Sequence, residues 1–120
     1  MGRRDALIAL YAEDLRTKCG IEPDMDLLEQ VTLACGPLIY EPDASLVAGS
    51  DRAERERIRR NFLMRRLALD EGPELPEAIE TALEIYGADE PRKYRAVVYY
   101  MLVKHFGCEE TFRNVPPARL

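Results

Sequence analysis

The residues best suited to chemistry in this chain are a lone histidine and a polar cluster in a loop. His105 is the only histidine, and such a residue can serve as a general base or a metal ligand. It follows Lys104 at the end of an apolar run, where positive charge suits the helix dipole, so we interpret both as helix-end residues. A zinc site would need more ligands than nearby Cys108. We therefore predict no metal and no cofactor.

The polar cluster lies in the segment 36–50 and consists of Tyr40, Asp43 and Ser45. A nucleophilic serine needs a base within reach, and nothing in the sequence places His105 beside Ser45. The chain also lacks a Gly-x-Ser-x-Gly elbow, a Walker-type loop and a His-Glu-x-x-His motif. An enzyme is the weaker hypothesis, and we assign no catalytic residue. A small-molecule site near this loop, in a cleft joining Tyr40, Asp43 and His105, stays open as a second alternative.

The same segment has a simpler structural interpretation. It is long for a connection without secondary structure inside a compact domain, and such loops are often functional. However, Asp43 and Ser45 are also common in turns and helix caps. We favour an ordered crossover with a single helical turn over residues 43–47.

An arginine-rich helix over residues 52–66 is the third candidate. Four of its seven arginines recur near one angle, at about 100° per residue. They are Arg52, Arg55, Arg59 and Arg66. Such a stripe could bind phosphates, which makes nucleic-acid binding the first alternative function. The competing interpretation is charge matching by the segment 70–90, which holds eight acids and no base, and the net charge of −5 argues against general nucleic-acid affinity.

The element that positions these residues is the apolar run from Pro91 to Gly107. Pro91 suits the first turn of a helix, and Gly107 suits the left-handed residue that closes one. The run is apolar around most of its circumference, as expected of a helix buried among others. We predict an all-α fold, a single compact domain of about five helices around this central C-terminal hydrophobic helix, over residues 1–113. Residues 114–120 are expected to form a flexible tail.

Four further helices follow from apolar periodicity and from start and stop signals. They are predicted over residues 3–19, from Asp24 to the stop at Gly36, over 51–69 and over 75–86. Asp24 is the expected cap of the second helix, and Asp51-x-x-Glu54 has the form of a capping box. Residues after Cys108 are expected to add a short turn, and no strand is predicted.

The composition sets the expected location. No apolar run is long enough to span a membrane, and the N-terminus lacks the apolar stretch of a signal peptide. The three cysteines are widely spaced and form no Cys-x-x-Cys pair, which favours a reducing cytoplasm over a disulfide framework.

Several segments together resemble a known family. They are Pro23-Asp-Met-Asp-Leu-Leu, Gly36-Pro-x-Ile-Tyr, Asp43-Ala-Ser, Gly49-Ser-Asp, Asn61-Phe-Leu and Lys93-Tyr-Arg-Ala-Val-x-Tyr-Tyr-x-Leu-Val-Lys-His-Phe-Gly. Over nearly the whole chain up to Gly107, they are similar to the bacterial family called domain of unknown function 2853. The resemblance implies a bacterial, soluble, helical protein, and it implies no activity and no catalytic residues.

The surplus of apolar helix surface gives the leading hypothesis. The central helix is apolar nearly all round, and the helix over 51–69 is apolar on two sides, so five short helices would struggle to cover both. An uncovered remainder would mark an interface. We therefore expect a non-catalytic soluble interaction module that forms a homodimer or binds a protein partner.

Overall fold

A computed structural model describes residues 2–113, and these residues form six α-helices, two helices of other types and no strand. The helices are α1 (Arg3–Thr17), α2 (Met25–Cys35), α3 (Arg52–Arg57), α4 (Glu74–Tyr86), α5 (Arg95–Phe106) and α6 (Glu109–Arg113). A short 3₁₀ helix (Gly36–Tyr40) follows α2, and a π-helix (Ile58–Arg66) continues α3. The predicted all-α class is confirmed, whereas the predicted tail over 114–120 lies outside the described residues. Of these six helices, none is long and apolar enough to cross a membrane.

Helix α5 is the centre of the fold, as its composition predicts. It packs against α1, α2 and α4, and eight of its twelve residues are buried. Gly107 ends it in the left-handed conformation, with φ of 65°. The predicted start at Pro91 is wrong, because the chain stays extended through Tyr94 (φ −68°, ψ 134°) and the helix begins at Arg95.

The extended residues before α5 pair with the crossover that follows the 3₁₀ helix. The amide of Val47 donates to the carbonyl of Lys93 at 2.8 Å, and Leu46 and Tyr94 form an isolated antiparallel bridge. These bonds satisfy backbone groups that a helical turn would otherwise satisfy. The competition between bridge and helix therefore sets where α5 begins.

The π-helix explains why the third predicted helix is apolar on two sides. Its bonds reach five residues instead of four: the amide of Leu67 donates to the carbonyl of Phe62 at 2.9 Å. Ile58, Phe62, Leu63 and Leu67, which are spaced by four or five residues, consequently share one buried face. The Phe62 ring stacks on Tyr99 of α5 with centroids 3.8 Å apart.

The π-helix ends at a strained residue. Ala68 has φ of 60°, the only positive φ of a non-glycine residue within 2–113, and the amide of Leu69 bonds back to the carbonyl of Leu63 at 3.0 Å. A left-handed alanine costs about 1–2 kcal/mol because its Cβ approaches the following carbonyl.

Replacing Ala68 by glycine is expected to raise the free energy of unfolding by about 0.5–1 kcal/mol, measured by urea titration. The gain is the relieved strain less the greater entropy of glycine in the unfolded chain. Ala9→Gly, on the exposed face of α1, is the control and should lose about 1 kcal/mol. A loss of stability in Ala68→Gly would show that its methyl group matters more than its backbone conformation.

Candidate functional site

A buried arginine on the first turn of α5 holds the loop that contains the predicted polar cluster. Arg95 uses its whole guanidinium fork: Nε donates to the carbonyl of Ala44 at 2.7 Å and Nη2 to that of Leu46 at 3.2 Å. Its terminal nitrogens also donate to the Glu54 carboxylate at 3.2 and 3.3 Å, and Nη1 donates to the Tyr99 hydroxyl at 3.2 Å. Each of the three guanidinium nitrogens of Arg95 therefore has an acceptor, as the burial of a charge requires.

Glu54 thus has a different role from the one its position predicts. The helix start at Asp51 is confirmed, since its carboxylate accepts from the Ala53 amide at 2.9 Å. Glu54, however, does not complete a capping box; it is buried and paired with Arg95. The sequence alone gives no sign that this glutamate is turned inward.

The segment 36–50 is an ordered crossover built from the 3₁₀ helix, a turn over 42–45 and the bridge to Tyr94. Ser45 accepts from the Arg95 amide through its carbonyl at 2.8 Å, and its hydroxyl donates to the carbonyl of Pro42 at 3.2 Å. Asp43 is exposed in the turn. Ser45 therefore acts as a turn residue that fixes the crossover to α5.

The structure separates the loop cluster from His105. The crossover contacts the first residue of α5, whereas His105 comes ten residues later, which is about 15 Å along the helix axis. His105 is exposed, with its ring 4.9 Å from that of Phe106. Lys104 pairs with Glu109 at 3.2 Å and so ties α5 to α6. Residues 44–47 therefore lie at the start of α5 and His105 near its end, which counts against the alternative of a cleft joining Tyr40, Asp43 and His105.

The four predicted arginines divide into two groups. Arg52, Arg55 and Arg59 line one cleft between α3 and α4, whereas Arg66 lies over the Phe112 ring at 4.7 Å. A residue of a π-helix advances by less than 100°, so the stripe projected for an α-helix turns away before Arg66. The acidic segment 70–90 also offsets part of the arginine charge, because Glu80 pairs with Arg55 at 2.5 Å and Glu71 with Arg59 at 3.7 Å.

A separate cleft of about 350 Å³ lies between residues 47–50, α4 and the connection to α5. Lys93 lines it and is only 7% exposed. Its ammonium donates to the carbonyls of Glu90 at 2.6 Å and Ala88 at 3.5 Å, so this lysine holds the turn between α4 and α5. The small-molecule alternative near the 36–50 loop could use this cleft or a second one of about 390 Å³, which is lined by Asp43, Leu46, Val47, Ala48, Glu54 and Pro91.

A second buried polar pair that the sequence does not signal joins α1 to α4. The Tyr86 hydroxyl donates to the Asp14 carboxylate at 2.5 Å and accepts from the Tyr94 amide at 3.1 Å. Burial and the bond to Asp14 raise the pKa of Tyr86, which keeps its hydroxyl protonated as the donor. The pair therefore fixes three helices at one point.

The cysteines have the properties of structural residues. Burial raises the pKa of Cys19 to about 11 and that of Cys35 to about 12. Burial also raises the pKa of Cys108. These thiols stay protonated at neutral pH and are poor nucleophiles. No group of three or more histidine, cysteine or acidic side chains in residues 2–113 could hold a metal ion.

The outer face of α1 carries a strip that we did not anticipate from the sequence. Its members are spaced by three and four residues and are all exposed; they are Arg3, Ala6, Leu10 and Glu13, here called the α1 strip. Leu10 is 39% exposed, and the Arg3 guanidinium lies 4.7 Å from the centre of the exposed Tyr40 ring. The spacing of these four residues is the signal in the sequence. It places them on the side of α1 opposite its buried face.

These features define a compact all-α domain whose buried charges hold its elements together. The family profile of a protein of unknown function (DUF2853) matches residues 10–110, which is most of the chain. The chain therefore belongs to this family, as its motifs predict. A comparison with curated proteins gives no match.

Proposed function

We propose that this protein is a non-catalytic helical module that self-associates through the α1 strip. The observation that supports the proposal is the order of residues along the strip: a base, a small residue, a large apolar residue and an acid. Leu10 is exposed there although the rest of α1 has a buried apolar face. In paired helices, apolar contact positions are likewise flanked by residues of opposite charge.

The order of the strip is complementary to itself in an antiparallel pair. When two antiparallel copies of α1 cross at the height of Ile8 along the helix axis, Arg3 of one copy stands opposite Glu13 of the other, and Ala6 stands opposite Leu10. A small residue facing a large one allows close approach of the helices. Each facing pair occurs twice, once on either side of the axis, because a two-fold interface is isologous. The second copy is consequently the occupant that fits this surface best.

The exposed ring of Tyr40 would extend the interface on one side, since it already contacts Arg3. One helix pair with such flanks is a small interface, and small interfaces give weak complexes. We therefore expect a dissociation constant on the order of micromolar or weaker.

Leu10→Glu tests the centre of the proposed interface. It would place two carboxylates in the apolar middle of the pair, and we expect dimerisation to weaken at least about a hundredfold. The matched control is Ile85→Glu, because Ile85 is 45% exposed on α4, outside the strip. Equal dimerisation of both variants by sedimentation equilibrium would rule out α1 as the interface. Circular dichroism should show that both remain folded.

A charge exchange tests the antiparallel register. Arg3→Glu alone would place like charges opposite each other twice, and we expect about a tenfold weaker dimer. The double variant Arg3→Glu/Glu13→Arg would restore both pairs and most of the affinity. Glu13 has no ion pair within 4 Å of any other described residue, so the exchange breaks no observed salt bridge. Failure of the double variant to recover would contradict the register.

We further propose that the module works in a bacterial cytoplasm. The bacterial origin rests on the family resemblance. Three free cysteines support a reducing compartment, because disulfides are rare where thiols are kept reduced. Oxidative cross-linking of the protein isolated from its native cell would count against this location.

A further inference from the structure

Three arginines converge on a small cleft between α3 and α4. The cleft has a volume of about 180 Å³ and is lined by Arg52, Arg55, Glu56, Arg59, Pro76 and Ile79, a set here called the arginine cleft. Ile79 is buried and gives the cleft an apolar floor, while Pro76 is exposed at its edge. The lining thus combines three positive charges, one negative charge and an apolar surface.

Hydrogen bonds within the protein leave some of these guanidinium groups unused. Arg59 is occupied: its Nε and Nη2 donate to the Glu56 carboxylate, and its Nη1 contacts Met64 Sδ at 3.2 Å. Arg55 donates through Nε to the carbonyl of Gly49 at 2.6 Å and through Nη1 to Glu80, which leaves Nη2 without an acceptor in residues 2–113.

Arg52 is exposed, and its side chain makes no hydrogen bond or ion pair with another described residue. A free guanidinium fork beside the spare Nη2 of Arg55 offers several N–H donors to one anion. Arg59 is paired with Glu56, so it contributes neither a free donor nor a net positive charge. The two groups that can bind are therefore Arg52 and Arg55.

We propose that the arginine cleft binds a small phosphate-bearing ligand, with the phosphate on Arg52 and Arg55 and an apolar body over Ile79 and Pro76. The donors for the phosphate are the free fork of Arg52 and the spare Nη2 of Arg55, because Arg59 is paired with Glu56 and Arg55 shares its charge with Glu80. The carboxylates of Glu71 and Glu80 flank the site through their pairs with Arg59 and Arg55. They would repel a long polyanion, so the site favours a small ligand over a nucleic-acid strand.

Calorimetric titration with inorganic phosphate and with phenyl phosphate, at constant ionic strength, tests the proposal. We expect saturable binding that Arg52→Gln weakens about tenfold, because it removes charge-assisted bonds from an exposed residue without breaking a packed contact. Arg92→Gln is the control, since Arg92 is another exposed arginine and lies outside the cleft. It removes the same charge and should leave the affinity unchanged.

The two probes identify the source of the phosphate. Tighter binding of phenyl phosphate would support a phosphate ester that uses the apolar floor, and equal binding would support free phosphate as the ligand. The proposal is overturned if neither probe binds, or if Arg52→Gln and Arg92→Gln behave alike. It is also overturned if a single-stranded oligonucleotide binds more tightly than both probes with a steep dependence on salt, which would indicate a nucleic-acid surface.

Discussion

Replacing Arg95 by methionine is expected to lower the free energy of unfolding by about 3–5 kcal/mol. Methionine fills a similar volume but leaves the Glu54 carboxylate buried without its partner. It also strips the carbonyls of Ala44 and Leu46 of their donors. Urea unfolding at a fixed protein concentration measures the loss, and protease cleavage within residues 41–47 should become faster because the crossover is no longer held.

The control variant for Arg95→Met removes Arg57, which contacts the same Glu54 carboxylate from the solvent side. Arg57 contacts Glu54 at 3.6 Å but has a side chain that is 58% exposed, so Arg57→Ala should cost only about 0–1 kcal/mol. The double variant Arg95→Met/Glu54→Gln should lose less than the sum of its single variants, because no ion is then left unpaired. Additive losses would mean that Arg95 and Glu54 are not coupled as the structure indicates.

Tyr86→Phe is expected to be the second most damaging change, with a loss of about 2–3 kcal/mol. One hydroxyl group satisfies two partners, so its removal leaves both the Asp14 carboxylate and the Tyr94 amide without it. Unsatisfied buried groups cost about 1–3 kcal/mol each, and more when charged. Thermal and urea unfolding of the variant would both measure this loss.

Tyr100→Phe provides the comparison for Tyr86. The Tyr100 hydroxyl accepts a hydrogen bond from the Asp24 amide at 2.8 Å, at the start of α2. Because that bond is to a neutral and partly exposed group, its loss should cost about 0.5–1.5 kcal/mol. If Tyr100→Phe proved as harmful as Tyr86→Phe, the special role assigned to the contact between α1 and α4 would be wrong.

Local signals in the sequence predict the helices well because their causes are local. Asp24 caps α2 through the Leu27 amide at 3.2 Å, and Gly107 closes α5 with a positive φ, both as expected. The apolar run of α5 likewise predicts its burial. In each case one residue and its near neighbours decide the outcome.

Features that depend on distant partners could not be predicted in the same way. Arg95 and Glu54 are 41 residues apart, and Asp14 and Tyr86 are 72 apart, so neither buried pair leaves a local pattern. The prediction that α5 begins at Pro91 is wrong for a related reason, because the bridge between Tyr94 and Leu46 competes with a helical turn. The π-helix did leave a sign in the spacing of Ile58, Phe62 and Leu67, but a period of 3.6 residues cannot represent it.

The candidate sites show the same division. The sequence directs attention to Arg52, Arg55 and Arg59, and the fold brings these three arginines to one cleft. It groups Arg66 with them only because the projection assumes an α-helix throughout. Conversely, the α1 strip was missed because Arg3, Leu10 and Glu13 look like ordinary surface residues until the buried side of α1 is known.

The mass of the wild-type protein over a wide range of concentration tests the proposed self-association most directly. Sedimentation equilibrium from about 1 μM to about 1 mM covers the weak affinity expected of a small interface. We predict that the mass rises from the 13.7 kDa of one chain towards twice that value. A mass that stays at one chain over the whole range would contradict the account.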